Sequence, residues 1–264
     1  MDSPDQGAMG LAIDTLTFAN DSLRFSMRRI GSEYLARLTS SGDSLDGMWR
    51  QGGMALPLGL KHVEHATAPR RPQEPLRPLP YNTMEVRFEN TLTLPRGKGP
   101  FPCVLLITGS GPEDRDEAVF GHRPFLVLAD HLTRNGIAVL RVDDRGVGGS
   151  TGGFTGFTRE DFAGDALAGV EFLKTRKEID PGRIGLIGHS EGGLIAPMVA
   201  TRTKGIAFVV LMAGPGIPGD STLMLQSAAI RRSMGVGETA ITAEQVVSRR
   251  MYARIRQGDS LGGV

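Results

Sequence analysis

Cysteine is almost missing from this sequence. Cys103 is the only one in 264 residues, so no disulfide can form within the chain and the redox compartment is not written in it. A charge excess of either sign is missing too: 30 basic against 29 acidic residues give a formal charge of +1, no electrostatic case for nucleic acid or an anionic membrane surface. No apolar run reaches the length of a membrane-spanning helix. The start, Met1-Asp2-Ser3-Pro4-Asp5, lacks the basic and apolar regions of a signal peptide. Histidine is the most telling shortage. His62, His65, His122, His131 and His189 are the full set, and none follows position 189.

What is present is ordinary for a globular protein: 40% hydrophobic and 22% charged residues, with length for one large core and a small second domain. Residues 1–65 read as a small β domain. Leu16-Thr17-Phe18, 23–27 and 34–38 are short alternating runs separated by Asn20-Asp21, Gly31-Ser32 and Ser41-Gly42-Asp43. Trp49, the only tryptophan, is expected to anchor that domain's core. Residues 66–80 hold Pro69, Pro72, Pro75, Pro78 and Pro80, a composition that resists helix and sheet and predicts a semi-stiff linker.

From residue 84 the pattern alternates. Strands are expected at 84–94, 102–108, 137–142, 184–187 and 206–213, with helices at 124–135, 162–177 and 191–202 between them. Continuous apolar strands separated by helices predict an α/β domain over 81–216, a mostly parallel sheet covered on both faces. Beyond residue 216 two helices are expected, 221–234 and 242–257, the second capped by Thr242 with Gln245 three residues on.

Gly188-His189-Ser190-Glu191-Gly192 lies between the strand at 184–187 and the helix that follows, the context in which GxSxG forms a nucleophile elbow. Such a turn pushes the Ser190 hydroxyl clear of the sheet. Side chains at Gly188 and Gly192 would collide with strand and helix, and the Glu191 N–H at the helix start is free to bind an oxyanion. Thr108-Gly109-Ser110-Gly111-Pro112 also follows a buried strand. A Gly-rich turn there predicts the Ser110 N–H as the second oxyanion donor. The glycines of 143–150, DDRGVGGS, are too irregular for a dinucleotide fingerprint and read as a turn pinned by Asp and Arg. No cofactor or metal is expected.

Elbow, GSGPEDRD segment and DDRGVGGS turn together resemble bacterial α/β-hydrolases of the serine esterase and serine-aminopeptidase-like group. An N-terminal β domain ending in Trp-Arg-Gln-Gly-Gly and a Pro-rich linker add to the likeness, which covers nearly the whole chain. The resemblance implies an α/β-hydrolase fold with a helical cap after the sixth strand, here 217–264. It also implies a small-molecule ester or acyl substrate, Ser190 as nucleophile in a Ser, Asp, His triad, and Ser110 and Glu191 as oxyanion donors.

The family order is Ser, then Asp, then His. Asp220 sits where some relatives keep their acid, but with no later histidine the triad is incomplete, and the sequence is expected to be truncated. Members usually carry extra hairpin residues where Asn90 runs into Thr91, and a secretion signal. A secreted or periplasmic location is implied if residues precede this start, and a cytoplasmic one otherwise. Two alternatives stay open: a peptidase of the same fold, and a non-catalytic fragment or binding module. The strand at 206–213, IAFVVLMA, is expected to be an aggregation-prone edge.

Overall fold

The computed structural model describes residues 1, 10–64, 71–86, 90–119, 121–153 and 155–258, so His65, Pro69 and the first part of the Pro-rich stretch lie outside the described residues. The chain divides into two compact units, Met1–Arg71 with Val119–His122, and Pro72–Ala118 with Arg123–Val264.

The first unit is an antiparallel meander of β1 (Thr15–Ala19), β2 (Ser22–Met27), β3 (Ser32–Leu38), β4 (Ser44–Gln51) and β5 (Met54–Lys61), each paired with the next. Two hairpins turn over two residues with positive φ, Asn20-Asp21 (49° and 58°) and Gly52-Gly53 (57° and 81°), the twist that suits right-handed strands. β4 and β5 are not in the sequence-based expectation, although Gly52-Gly53 was their signal. Trp49 does not anchor the core as expected. It is half-buried and meets Phe25 edge-on at 6.2 Å, while the buried centre is Phe25, Met27, Tyr34 and Ala36. Tyr34 takes the anchoring place because it lies across Gly47, where any Cβ would come within 2.6 Å of its hydroxyl, and that hydroxyl donates to Leu58 O at 2.8 Å.

The second unit holds a six-stranded sheet in the order β11-β10-β8-β9-β7-β6. Here β6 is Asn82–Val86, β7 Asn90–Leu94, β8 Phe101–Ile107, β9 Ala138–Arg141, β10 Ile179–His189 and β11 Ile206–Met212. The stretch expected as one strand, 84–94, is two: β6 and β7 pair antiparallel with Val86 opposite Asn90. The sequence largely alternates throughout 84–94, and Arg87-Phe88-Glu89, outside the described residues, carries no glycine or proline to mark a reversal. β9, β8, β10 and β11 run parallel.

Helix α1 (Pro124–Arg134) packs on one face of this sheet, over Val104, Leu106 and Val139. Helices α2 (Arg159–Lys174) and α3 (Gly192–Arg202) belong to the core of the other face, with Cys103, Leu105, Leu140 and Leu186. β8 therefore alternates between two cores, which is why its apolar run is continuous. α2 starts three residues before the expected position because Thr158 and Asp161 form a capping box. Helices α4 (Gly219–Ser233) and α5 (Glu238–Arg256) follow β11. α5 starts at Glu238 after Gly237, leaving Thr242 inside the helix rather than at its cap, and Arg232 and Arg231 of α4 pair with Glu238 and Glu244. No helix of the described residues is long and apolar enough to cross a membrane.

Among the described residues β11 pairs only with β10, so its outer edge carries no partner strand, and Phe208, Val210 and Leu211 are 42–52% exposed. A charge on such an edge opposes pairing with a second copy. The 264-residue chain is expected to elute as self-associated species in size-exclusion chromatography and Val210→Lys to shift it toward monomer. An unchanged profile would place the contact elsewhere.

Candidate active site

The chain runs from the central strand β8 outward to β9, then crosses by α2 to β10 on the other side of β8. That reversal opens a crevice at the carboxyl ends of β8 and β10, where open α/β sheets bind ligands. The turns leaving those two strands are 108–112 and 189–192, so the topology brings the GSGP and GHSEG segments together.

Ser190 lies between β10 and α3 with φ +52°, a left-handed conformation uncommon for a side chain larger than hydrogen. Its N–H donates to Met212 O at 2.8 Å, tying the turn to the end of β11, and its carbonyl accepts from Gly193 N–H at 3.0 Å. The surrounding glycines are fixed by backbone contact. A Cβ on Gly188 would lie 2.0 Å from Gly192 O, and one on Gly192 2.3 Å from Ile107 O. Gly109 passes close by, since its Cβ would sit 3.4 Å from the Ser190 Cβ. Among the described residues neither the Ser110 N–H nor the Glu191 N–H has a hydrogen-bond acceptor. The Glu191 side chain turns away to Arg159 of α2, Nε to Oε1 2.7 Å.

Asp114, Arg115, Asp116 and Glu117 of PEDRDE tie their loop together and to the strands beside it. The Asp114 carboxylate accepts from the N–H groups of Asp116 and Ala118, and Asp116 pairs with buried Arg141 on β9. Glu117, 4% exposed and itself at φ +52°, accepts from the Gly109 N–H at 2.9 Å and lies 2.7 Å from His189 Nδ1. Strain of this kind persists only where the surroundings over-determine it, and it clusters at functional sites. Sequence reasoning missed Glu117; a carboxylate spaced to reach back to Gly109 was the available signal.

The DDRGVGGS turn is pinned by the same loop. Asp143 accepts from the Arg115 N–H, Nε and Nη2 and from the Gly149 N–H. Burial pushes its carboxyl up, but those donors outweigh burial and hold it below the usual range. Asp144 accepts from the Thr108 hydroxyl and the Glu113 N–H. There burial wins over the hydrogen bonds, helped by the charges of Glu117 and Asp143, and the carboxyl is pushed up to about 6. Burial, with Glu117 and Asp144 nearby, also raises Glu113.

Because the folded carboxyl of Asp144 holds its proton more tightly than the unfolded one, whose pKa is about 3.9, its contribution is complete below about pH 4 and is lost as pH rises through 6. The stability of the wild type relative to Asp144→Asn is expected to fall by up to about 3 kcal/mol from pH 4 to pH 7. Urea unfolding across that range checks this, and a pH-independent difference would refute it.

Asp220, the residue at the expected acid position, lies in the first turn of α4, where its carboxylate accepts from the Ser221 N–H and pairs with Arg256. His131 lies within α1, whereas His62 and His122 belong to the first unit. His189 is thus the histidine beside Ser190, and its Nδ1 is engaged by Glu117. No cluster among the described residues has the His, Cys, Asp and Glu content to hold a metal ion.

A family model described as X-Pro dipeptidyl-peptidase (S15 family) matches residues 85–257. Esterase EstD of Thermotoga maritima is 38% identical over 127 residues, 48% of this chain and 30% of that protein. Acyl-coenzyme A thioesterase 2, mitochondrial, of Mus musculus is 27% identical over 191 residues, 72% of this chain and 36% of that one. The chain spans about a third of the length of the curated relatives it matches, from 30% to 36%. A solved esterase of Pyrococcus furiosus is 22% identical, with a TM-score of 0.42 and 64% of each chain covered.

Proposed function

The chain belongs to the X-Pro dipeptidyl-peptidase (S15) family of α/β-hydrolases, and from that premise we propose that it works as a serine hydrolase, forming an acyl-enzyme at Ser190 from a carboxylic ester. The observation that carries this reading is Ser190 held at positive φ at the strand–helix turn beside two unpartnered N–H groups. In this reading the Ser190 hydroxyl attacks the ester carbonyl. The Ser110 and Glu191 N–H groups receive the charge that develops on its oxygen, and Arg159 keeps the Glu191 carboxylate engaged away from it. Gly188 and Gly192 let the backbone close around the serine. Helices α4 and α5 are the beginning of a cap.

A serine hydroxyl is a weak nucleophile without a base. His189 is committed to Glu117, so in this proposal no base stands beside Ser190 among the described residues, and the 264-residue chain alone is slow. The test is a fluorophosphonate probe applied to a chain carrying more of the relatives' length, with the adduct mapped by mass spectrometry. An adduct on Ser190 is expected, and an adduct elsewhere, or none, overturns the assignment. Should the longer chain stay unlabelled while still binding esters, a binding module is the better reading.

The family's description favours a second reading, a peptidase that releases X-Pro dipeptides. Esterase EstD, 38% identical, favours the ester. Turnover of aryl butyrate against an X-Pro anilide separates the two.

A further inference from the structure

The crevice beside Ser190 does not stop at the turns. A cavity of about 280 Å³ runs from Thr108, Gly109, Gly111 and Glu191 down between α2 and the sheet. Its inner wall is apolar: Leu105 of β8, Leu140 of β9, Ile195 of α3, and Phe162, Ala166 and Phe172 of α2. Asn90, Asp143, Asp144, Arg145, Thr151 and Asp165 give the lining a polar part as well. Well-packed interiors do not keep such space unless something occupies it, and the volume lies near the lower end of small-ligand sites, about 300 Å³.

We propose that this cavity is the acyl subsite and takes an unbranched aliphatic acyl chain of medium length. The inference rests on the Ser190 reading above and goes beyond it by naming the substrate class. Three features support it. The mouth is formed by the turns that present the Ser110 and Glu191 N–H groups, so a carbonyl held there places one substituent at the entrance. The acyl group stays bonded to the serine while the alcohol departs, so an enclosed hole suits the acyl side and the open crevice suits the leaving group. The apolar wall of Leu105, Leu140, Ile195, Phe162, Ala166 and Phe172 suits an aliphatic group, which it desolvates at no hydrogen-bonding cost.

Neutral 2-alkanones of five to twelve carbons probe the cavity without turnover, their carbonyl standing in for that of the ester. Titrated calorimetrically into the 264-residue chain, they are expected to bind about fourfold tighter per added methylene, up to a length at which the gain stops. Ala166→Leu should shorten that limit and raise the melting temperature by filling the void, and Phe172→Ala should lengthen it. Affinity independent of chain length, or a limit unmoved in both variants while circular dichroism shows them folded, overturns the proposal. Ser190→Ala should bind the series as the wild type does. Loss of the length dependence therefore tells against the subsite, whereas the fluorophosphonate result alone tells against the nucleophile.

Discussion

Ser190→Ala is expected to lower ester turnover by about 10⁴- to 10⁶-fold, the usual cost of removing a triad member. If Ser190 is the nucleophile as proposed, the loss falls on kcat and leaves KM nearly unchanged, because the alanine keeps the turn and both N–H groups proposed as oxyanion donors while removing the hydroxyl proposed to bond to the substrate. The measurement is nitrophenyl ester hydrolysis by the extended chain and its variant. A variant retaining more than about a hundredth of the wild-type rate would mean that another residue carries the chemistry, since intact oxyanion donors and binding do not make up that difference.

Asp143→Ala is expected to remove about 2–6 kcal/mol of stability, as leaving two backbone N–H groups without an acceptor does at about 1–3 kcal/mol each. The Asp143 side chain is 2% exposed and pairs at 2.6 Å with Arg115, itself only 19% exposed. Four donors lose their acceptor together, two of them backbone N–H groups of Arg115 and Gly149. Arg115 would keep Glu85 and Thr91, so its charge is not stranded, and the cost comes mainly from the unpaired backbone and the empty space beneath Gly148. Asp143→Asn, which keeps two acceptor contacts at most, should fall between. Urea unfolding of the three proteins gives the order; a loss under about 1 kcal/mol in Asp143→Ala would show that the loops hold without this anchor.

The alternation of apolar strands and helices makes the parallel sheet legible from the sequence, because the strands at 102–108, 137–142 and 184–187 are largely buried apolar runs in which Arg141 is the one charged residue. The 84–94 segment was misread because a hairpin preserves alternation and its turn has no glycine or proline. α5 was placed four residues late because Thr242 with Gln245 satisfies the capping pattern from inside a helix. In the site, Ser190, Gly188 and Gly192 announce themselves through local steric need, which is a short-range property. The Glu117 contact to His189, and the convergence of Arg115 on Asp143, depend on which loops the topology brings together. No local pattern encodes a contact between residues 72 or 28 positions apart.

The left-handed backbone of Ser190 has an outcome for anyone selecting variants of this chain. An L-residue held there costs about 1–2 kcal/mol that glycine does not, and Glu117, at the same φ, carries a similar load. At Glu117 the bond from the Gly109 N–H to the buried carboxylate offsets that load, whereas at Ser190 thermal tolerance and the proposed chemistry pull in opposite directions. A library ranked on heat resistance alone will enrich glycine at position 190, and its hardiest members will be the ones that have lost the hydroxyl.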